Sequence, residues 1–161
     1  MLPILDVYWE RLQALHAGIE RTIEGLPQAA LDWVSGPDTN SLAVLAVHVA
    51  GAERYWIGDV VGGDPSGRDR AAEFRAHDLD GAVLKARLAA ALAHSQAVLE
   101  ELTLPDLEET YVSPRDGRQF TGAWCLAHAL EHTALHLGHM QITRQLWKQE
   151  EKEVRSKRGD C

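Results

Sequence analysis

Hydrophobic and polar positions recur with helical periodicity in four long segments of this chain. In the first, about residues 5–26, seven apolar or aromatic side chains from Leu5 to Leu26 repeat every three or four positions. Gly25 and Pro27 predict where this helix stops. The other segments cover about residues 41–61, 79–102 and 121–147. The pattern therefore predicts four long helices joined by turn-rich connections.

Polar residues at the expected positions support these boundaries. Asn40 or Ser41 can cap the second helix, and the run of glycine, aspartate, proline and serine at 62–67 ends it. Asp78 or Asp80 can cap the third. These features predict that the second and third helices are separated by an irregular segment.

Between the third and fourth helices, residues 105–120 contain the turn sequence Arg115-Asp116-Gly117-Arg118, which predicts a short strand pair. Four long helices with little strand predict an all-α four-helix bundle. We expect the bundle to span residues 1–149. Residues 150–161, in which basic and acidic side chains alternate, are predicted to be a charged, disordered tail.

Composition narrows the possible functions. The chain has 161 residues, of which 45% are hydrophobic, enough for one domain with a real core. A net charge of −8 argues against a nucleic-acid partner. No apolar run approaches the roughly 18 residues of a membrane span, and Asp6 and Glu10 interrupt any signal-peptide pattern. Two cysteines cannot form a disulfide framework, so we expect a cytoplasmic protein.

Four of the eight histidines, His128, His132, His136 and His139, lie within twelve residues of the fourth helix. At roughly 100° per residue, the last three fall about 40°, 80° and 20° around the helix from His128. All four imidazoles therefore share one stripe, and residues three or four apart can hold one ion between them. This spacing predicts a metal site.

His48, in the apolar second helix, is the candidate ligand from elsewhere in the chain. A catalytic site usually has three protein ligands and an open position. From the helical rise, His48 is level with His132 and His136 if the two helices are antiparallel, and with His128 and His132 if they are parallel. The spacing leaves both pairs open.

At this point the chain resembles the DinB/YfiT-like metalloenzymes over about residues 5–147. The resemblance rests on His48-Val-Ala-Gly-Ala-Glu-Arg-Tyr-Trp56 and on His132-Thr-Ala-Leu-His136-Leu-Gly-His139. It implies an up-down-down-up bundle, homodimerisation, and the metal ligands His48, His132 and His136. His139 departs from the pattern, because relatives often carry glutamine there.

The resemblance also implies a function. Three neutral imidazoles leave a bound divalent metal, Zn or Ni by expectation, with its full positive charge. Such a site fits an enzyme that transfers a low-molecular-weight thiol to an electrophilic small molecule, or a related hydrolase. Two alternatives remain. One is a structural or sensory metal site closed by His128, His139 or Cys125, and the other is a metal-free interaction module.

Residues 128–132 also fit H-x-x-E-H, the inverted metalloprotease motif. Too little chain follows for that fold, so Glu131 is interpreted as a surface residue. Cys125 is interpreted as a small buried apolar residue. The remaining candidates are assigned ordinary structural roles: solvent-facing His16, His77 and Glu53, surface or core His94, and the core or pocket-wall residues Trp9, Trp56 and Trp124. For Glu53, a role as a partner of His48 or as a catalytic base is the alternative.

Overall fold

The computed structural model describes residues 1–159 and contains four long helices. They are α1 (Pro3–Ile23), α3 (Leu42–Glu53), α5 (Gly81–Glu101) and α7 (Gly122–Gly159). Three short helices lie in the connections: α2 (Gln28–Leu31), α4 (Arg70–Glu73) and α6 (Leu104–Glu108). The strands β1 (Thr110–Val112) and β2 (Gln119–Thr121) form the expected antiparallel pair, with Tyr111 opposite Phe120.

Local capping explains where the long helices begin. The side chain of Ser41 accepts a hydrogen bond from the backbone N–H of Val44, and that of Asp80 accepts one from Val83. Gly25 adopts a left-handed conformation (φ +67°) after α1, which favours glycine at that position. The predicted starts of the second and third helices are therefore within a residue or two of those observed.

Contacts between the long helices give their directions. Tyr8 Oη donates to the carbonyl of Leu126 at 3.0 Å, and Arg144 donates to the carbonyl of Thr22 at 2.9 Å, so α1 and α7 run parallel. His48 on α3 contacts His132 on α7, whereas Trp56, further along, contacts Trp124. These two helices are therefore antiparallel.

The direction of α5 completes the topology. Ser95 on α5 hydrogen-bonds to Glu53, and further along Val98 packs beside Gly62, so α5 runs parallel to α3. The bundle is up-down-down-up, as predicted. Two apolar clusters fill it, one around Leu45 and Leu88 and the other around Leu12 and Ile57.

The second long helix changes its winding partway along. From Arg54 to Val61 it is a π-helix, with the i→i+5 hydrogen bond continued by Gly62 N–H to Ile57 O at 2.9 Å. A regular α-helix was predicted for this stretch. π-Helical turns are rare and are frequent at functional sites.

The last helix is longer than predicted. It continues past Trp147 to Gly159, because glutamate, lysine and arginine are good helix formers and no glycine or proline interrupts them before residue 159. Residues 160–161, including Cys161, lie outside the described residues. The division into a bundle and a tail stays a prediction. No helix in residues 1–159 has the length and apolar character required to cross a bilayer.

Candidate metal centre

Three of the predicted histidines meet between α3 and α7. His48 projects from α3, and His132 and His136 lie one turn apart on α7. The Nε2 atom of His132 is 3.1 Å from the Nε2 atoms of both His48 and His136. Nitrogens about 2.0–2.1 Å from a tetrahedral ion are about 3.3–3.4 Å apart. The donor set and its spacing therefore fit a divalent metal.

Glu73 contacts the opposite side of the His48 ring. His48 Nδ1 is 2.8 Å from Glu73 Oε2, and because a carboxylate accepts hydrogen bonds, the imidazole proton is placed on Nδ1. That tautomer leaves the Nε2 lone pair free toward His132 and His136. Carboxylate partners of this kind orient metal-binding histidines and increase their basicity.

Arg68 holds the Glu73 carboxylate in place. Its Nε donates to Oε1 at 2.5 Å and its Nη2 donates to Oε2 at 2.8 Å. Burial raises the pKa of Glu73, but hydrogen bonds and charge from Arg68 and His48 outweigh it, so the pKa is lowered overall. The carboxylate also packs directly over Gly51, where a Cβ would collide with it.

The two histidines of α7 are held in the form that binds metals. Burial, followed by the charges of the neighbouring imidazoles of His136, His48 and His128, lowers the pKa of His132 to about 3. Burial and the rings of His48 and His139 lower the pKa of His136 to about 4. Neutral imidazole is the ligand form, so both rings are ready for coordination near neutral pH.

Aromatic side chains surround this cluster. Phe74 lies against the His48 ring with centroids 4.8 Å apart. On the other side, Trp124 stacks on His128 at 4.8 Å and 9°, and Trp56 meets the same histidine edge-on. Trp56 is buried in the core, which confirms the predicted role, whereas Trp124 is 42% exposed and is not a core residue.

The other proposed ligands lie outside the cluster. Among the described residues, one group of histidine, cysteine or acidic side chains has the geometry to hold a metal, and it consists of His48, His132 and His136. His128 is stacked on Trp124 and meets Trp56 edge-on, and His139 is exposed. Cys125 is completely buried in an apolar cluster, as predicted.

Burial raises the pKa of the Cys125 thiol to about 11, which makes thiolate formation there unfavourable. Glu131 is exposed, as expected of a surface residue. His77 is exposed, and His94 is partly buried.

Two solvent-facing predictions were wrong. His16 and Glu53 are both 1% exposed, and their Nε2 and Oε2 atoms are 2.5 Å apart. Ser95 Oγ donates to the other carboxylate oxygen at 2.8 Å. Glu53 lies well around the helix from His48, but α3 is enclosed on nearly every side and offers no solvent face.

The sequence interpretation missed Arg68 and Glu73. Both belong to the connection between α3 and α5, where no periodic pattern marks functional residues. The signal that could have indicated them is the length of this connection, since long loops in compact domains are often functional.

The all-α bundle has the fold of solved proteins described as DinB-like. The chain belongs to the mycothiol-S-transferase family, whose model matches residues 9–149. A DinB-like protein from Bacillus cereus has a similar structure, with a TM-score of 0.71 and 16% identity, covering 88% of this chain and 91% of that one.

Two further solved structures share the fold. A conserved protein from Enterococcus faecalis has a TM-score of 0.76 at 18% identity, covering 91% of this chain and 98% of its own. A variant of a mycothiol-dependent maleylpyruvate isomerase has a TM-score of 0.64 at 12% identity, covering 83% of this chain and 59% of its own. No curated protein sequence matches the chain.

Proposed function

We propose that the protein is a metal-dependent S-transferase that joins a low-molecular-weight thiol, mycothiol by family membership, to an electrophilic small molecule. The observation that carries this proposal is the convergence of three imidazoles from α3 and α7 in a chain of the mycothiol-S-transferase family. His48, His132 and His136 would hold a divalent ion, Zn or Ni. The bound ion supplies positive charge that lowers the pKa of an adjacent thiol.

The chain's own residues prepare the site for this reaction. Glu73 retains the proton on Nδ1 of His48, and Arg68 keeps Glu73 ionised. Phe74 provides apolar surface against the ring of His48. In the transfer, sulfur forms a bond to the electrophilic carbon as the leaving group departs with its electron pair, and the thiol proton passes to solvent.

The experiment measures metal content and conjugation together. Untagged protein is expected to contain one equivalent of divalent metal and to conjugate mycothiol to 1-chloro-2,4-dinitrobenzene, with chelation abolishing the activity. His132→Ala should lose both metal and activity. His77→Ala, which removes an exposed histidine, should keep both. Stoichiometric metal without conjugation of mycothiol, glutathione or cysteine would contradict the transferase.

A non-catalytic metal clamp is the competing proposal, because the three histidines join two helices that are distant in sequence. A clamp predicts that chelation lowers the melting temperature while no thiol is consumed under any condition. Metal-free protein with unchanged stability after His48→Ala would instead favour an interaction module. Homodimerisation is part of the proposal, and sedimentation equilibrium tests it.

A further inference from the structure

A cleft of about 810 Å³ lies between α3, α5 and the connection that contains α4. It is within the range of roughly 300–1,000 Å³ that is usual for small-molecule sites. Its lining includes small apolar side chains from both long helices, among them Val47, Ala50 and Ala91. The three clustered histidines do not line it, but Arg68 and Glu73, which hold His48, do, so the cleft adjoins the candidate metal centre without containing its ligands.

Positive charge is concentrated at this cleft. Arg54, Arg68, Arg75 and Arg87 line it, against two carboxylates, although the chain as a whole has a net charge of −8. Two of these arginines are already neutralised. Arg54 forms ion pairs with Asp59 and Asp64, and Arg68 is held by Glu73.

The other two guanidinium groups are available to a ligand. Arg87 on α5 forms no salt bridge with any residue that the structure describes. Arg75, just beyond α4, has only Asp69 at 3.9 Å, and both of those side chains are about two-thirds exposed. Such a pair contributes little to stability. Planar guanidinium groups recognise carboxylate and phosphate by paired hydrogen bonds.

We propose that this cleft binds a small organic anion, with its carboxylate or phosphate at Arg75 and Arg87 and its apolar body over Val47, Ala50 and Ala91. The apolar lining favours a hydrocarbon or aryl body over a bare inorganic ion. The site does not depend on the proposed metal chemistry, since its anchors are separate from His48 and its partners.

The test is calorimetric titration of the purified protein with phenyl phosphate, benzoate and the neutral benzyl alcohol. Saturable binding of at least one anion, with benzyl alcohol much weaker, is expected. Arg75→Gln/Arg87→Gln should weaken binding by at least about tenfold, since charge-assisted hydrogen bonds are lost. Comparing the affinities for phenyl phosphate and benzoate shows which acid group the arginines prefer.

The matched control is Arg11→Gln/Arg155→Gln, which changes the net charge equally at two arginines that do not line the cleft. It should bind as the unmodified protein does. Ala90→Glu, at an exposed lining position of α5, should also weaken binding. Three results would overturn the proposal: equal losses of anion affinity in the two double variants, an affinity for benzyl alcohol equal to that for the anions, or no binding of either anion.

His136→Ala separates the cleft from the metal centre, because a bound metal could itself attract these anions. The cleft predicts that this variant keeps its affinity for the anion. Loss of binding in His136→Ala, with binding retained in Arg75→Gln/Arg87→Gln, would place the anion at the histidine cluster and refute the cleft.

Discussion

Replacing Glu73 should weaken metal binding although this residue is not expected to touch the metal. Its carboxylate accepts the Nδ1–H of His48 at 2.8 Å and is held by two hydrogen bonds from Arg68. Loss of such a partner typically reduces metal affinity by about 10–100-fold. That range corresponds to about 1.4–2.7 kcal/mol of binding free energy.

Two substitutions separate the contribution of charge from that of the hydrogen bond. Glu73→Gln keeps an amide oxygen that can accept from His48 but removes the negative charge, whereas Glu73→Ala removes both. We therefore expect affinity to fall in the order unmodified protein, glutamine variant, alanine variant. Competition with a chromogenic chelator for Zn²⁺ measures all three dissociation constants.

Glu131→Gln is the matched control, because Glu131 is an exposed carboxylate adjacent to His132 in the chain. It should leave the dissociation constant within about twofold of the unmodified value, since screened surface charges act weakly. If Glu73→Ala also stays within that range while His132→Ala loses the metal, Glu73 does not orient His48 for binding, and the reasoning fails. Circular dichroism checks that each variant is folded.

Three further predictions concern the rest of the bundle. Glu53→Ala removes a buried carboxylate that bridges two helices, so urea unfolding should show a loss of about 3–5 kcal/mol, and a loss below about 1 kcal/mol would contradict this. Because burial raises the pKa of Cys125 to about 11, a Cys161→Ser variant should not react with Ellman's reagent at pH 8 until it is unfolded. Hydrogen bonds from Ser113 and Arg118 lower the pKa of Asp116, so its contribution to stability is present above its unfolded pKa and is lost as pH falls through its folded pKa. The stability difference between the unmodified protein and Asp116→Asn should therefore shrink on acidification below about pH 4, and a difference that grows would refute it.

The long helices were predictable because each has a periodic apolar pattern or a polar cap where its pattern weakens. Ser41 and Asp80 cap the helices that they were expected to cap. The spacing of His132 and His136 predicted adjacent ligands on one face, and the resemblance supplied the antiparallel arrangement that brings His48 to them. The structure shows both relationships.

The supporting residues could not be predicted in the same way. Glu73 reaches His48 because the connection after α3 folds back over Gly51, a tertiary arrangement that leaves no periodic trace. The predicted solvent exposure of Glu53 was wrong. Its angle around the helix from His48 places the side chain in solvent only if the helix has a solvent-facing side. The π-helical winding from Arg54 to Val61 was likewise not predicted, because the apolar pattern of this stretch gives no signal for it.

The buried cluster of His16, Glu53 and Ser95 has a consequence for how α3 is oriented. A helix that is apolar on all sides can rotate about its axis with little change in hydrophobic burial. Glu53 removes that freedom, because rotating it away from its two partners would leave a carboxylate stranded in hydrocarbon. The same constraint turns His48 toward α7, so a polar cluster that does not include the three histidines sets the direction of the imidazole.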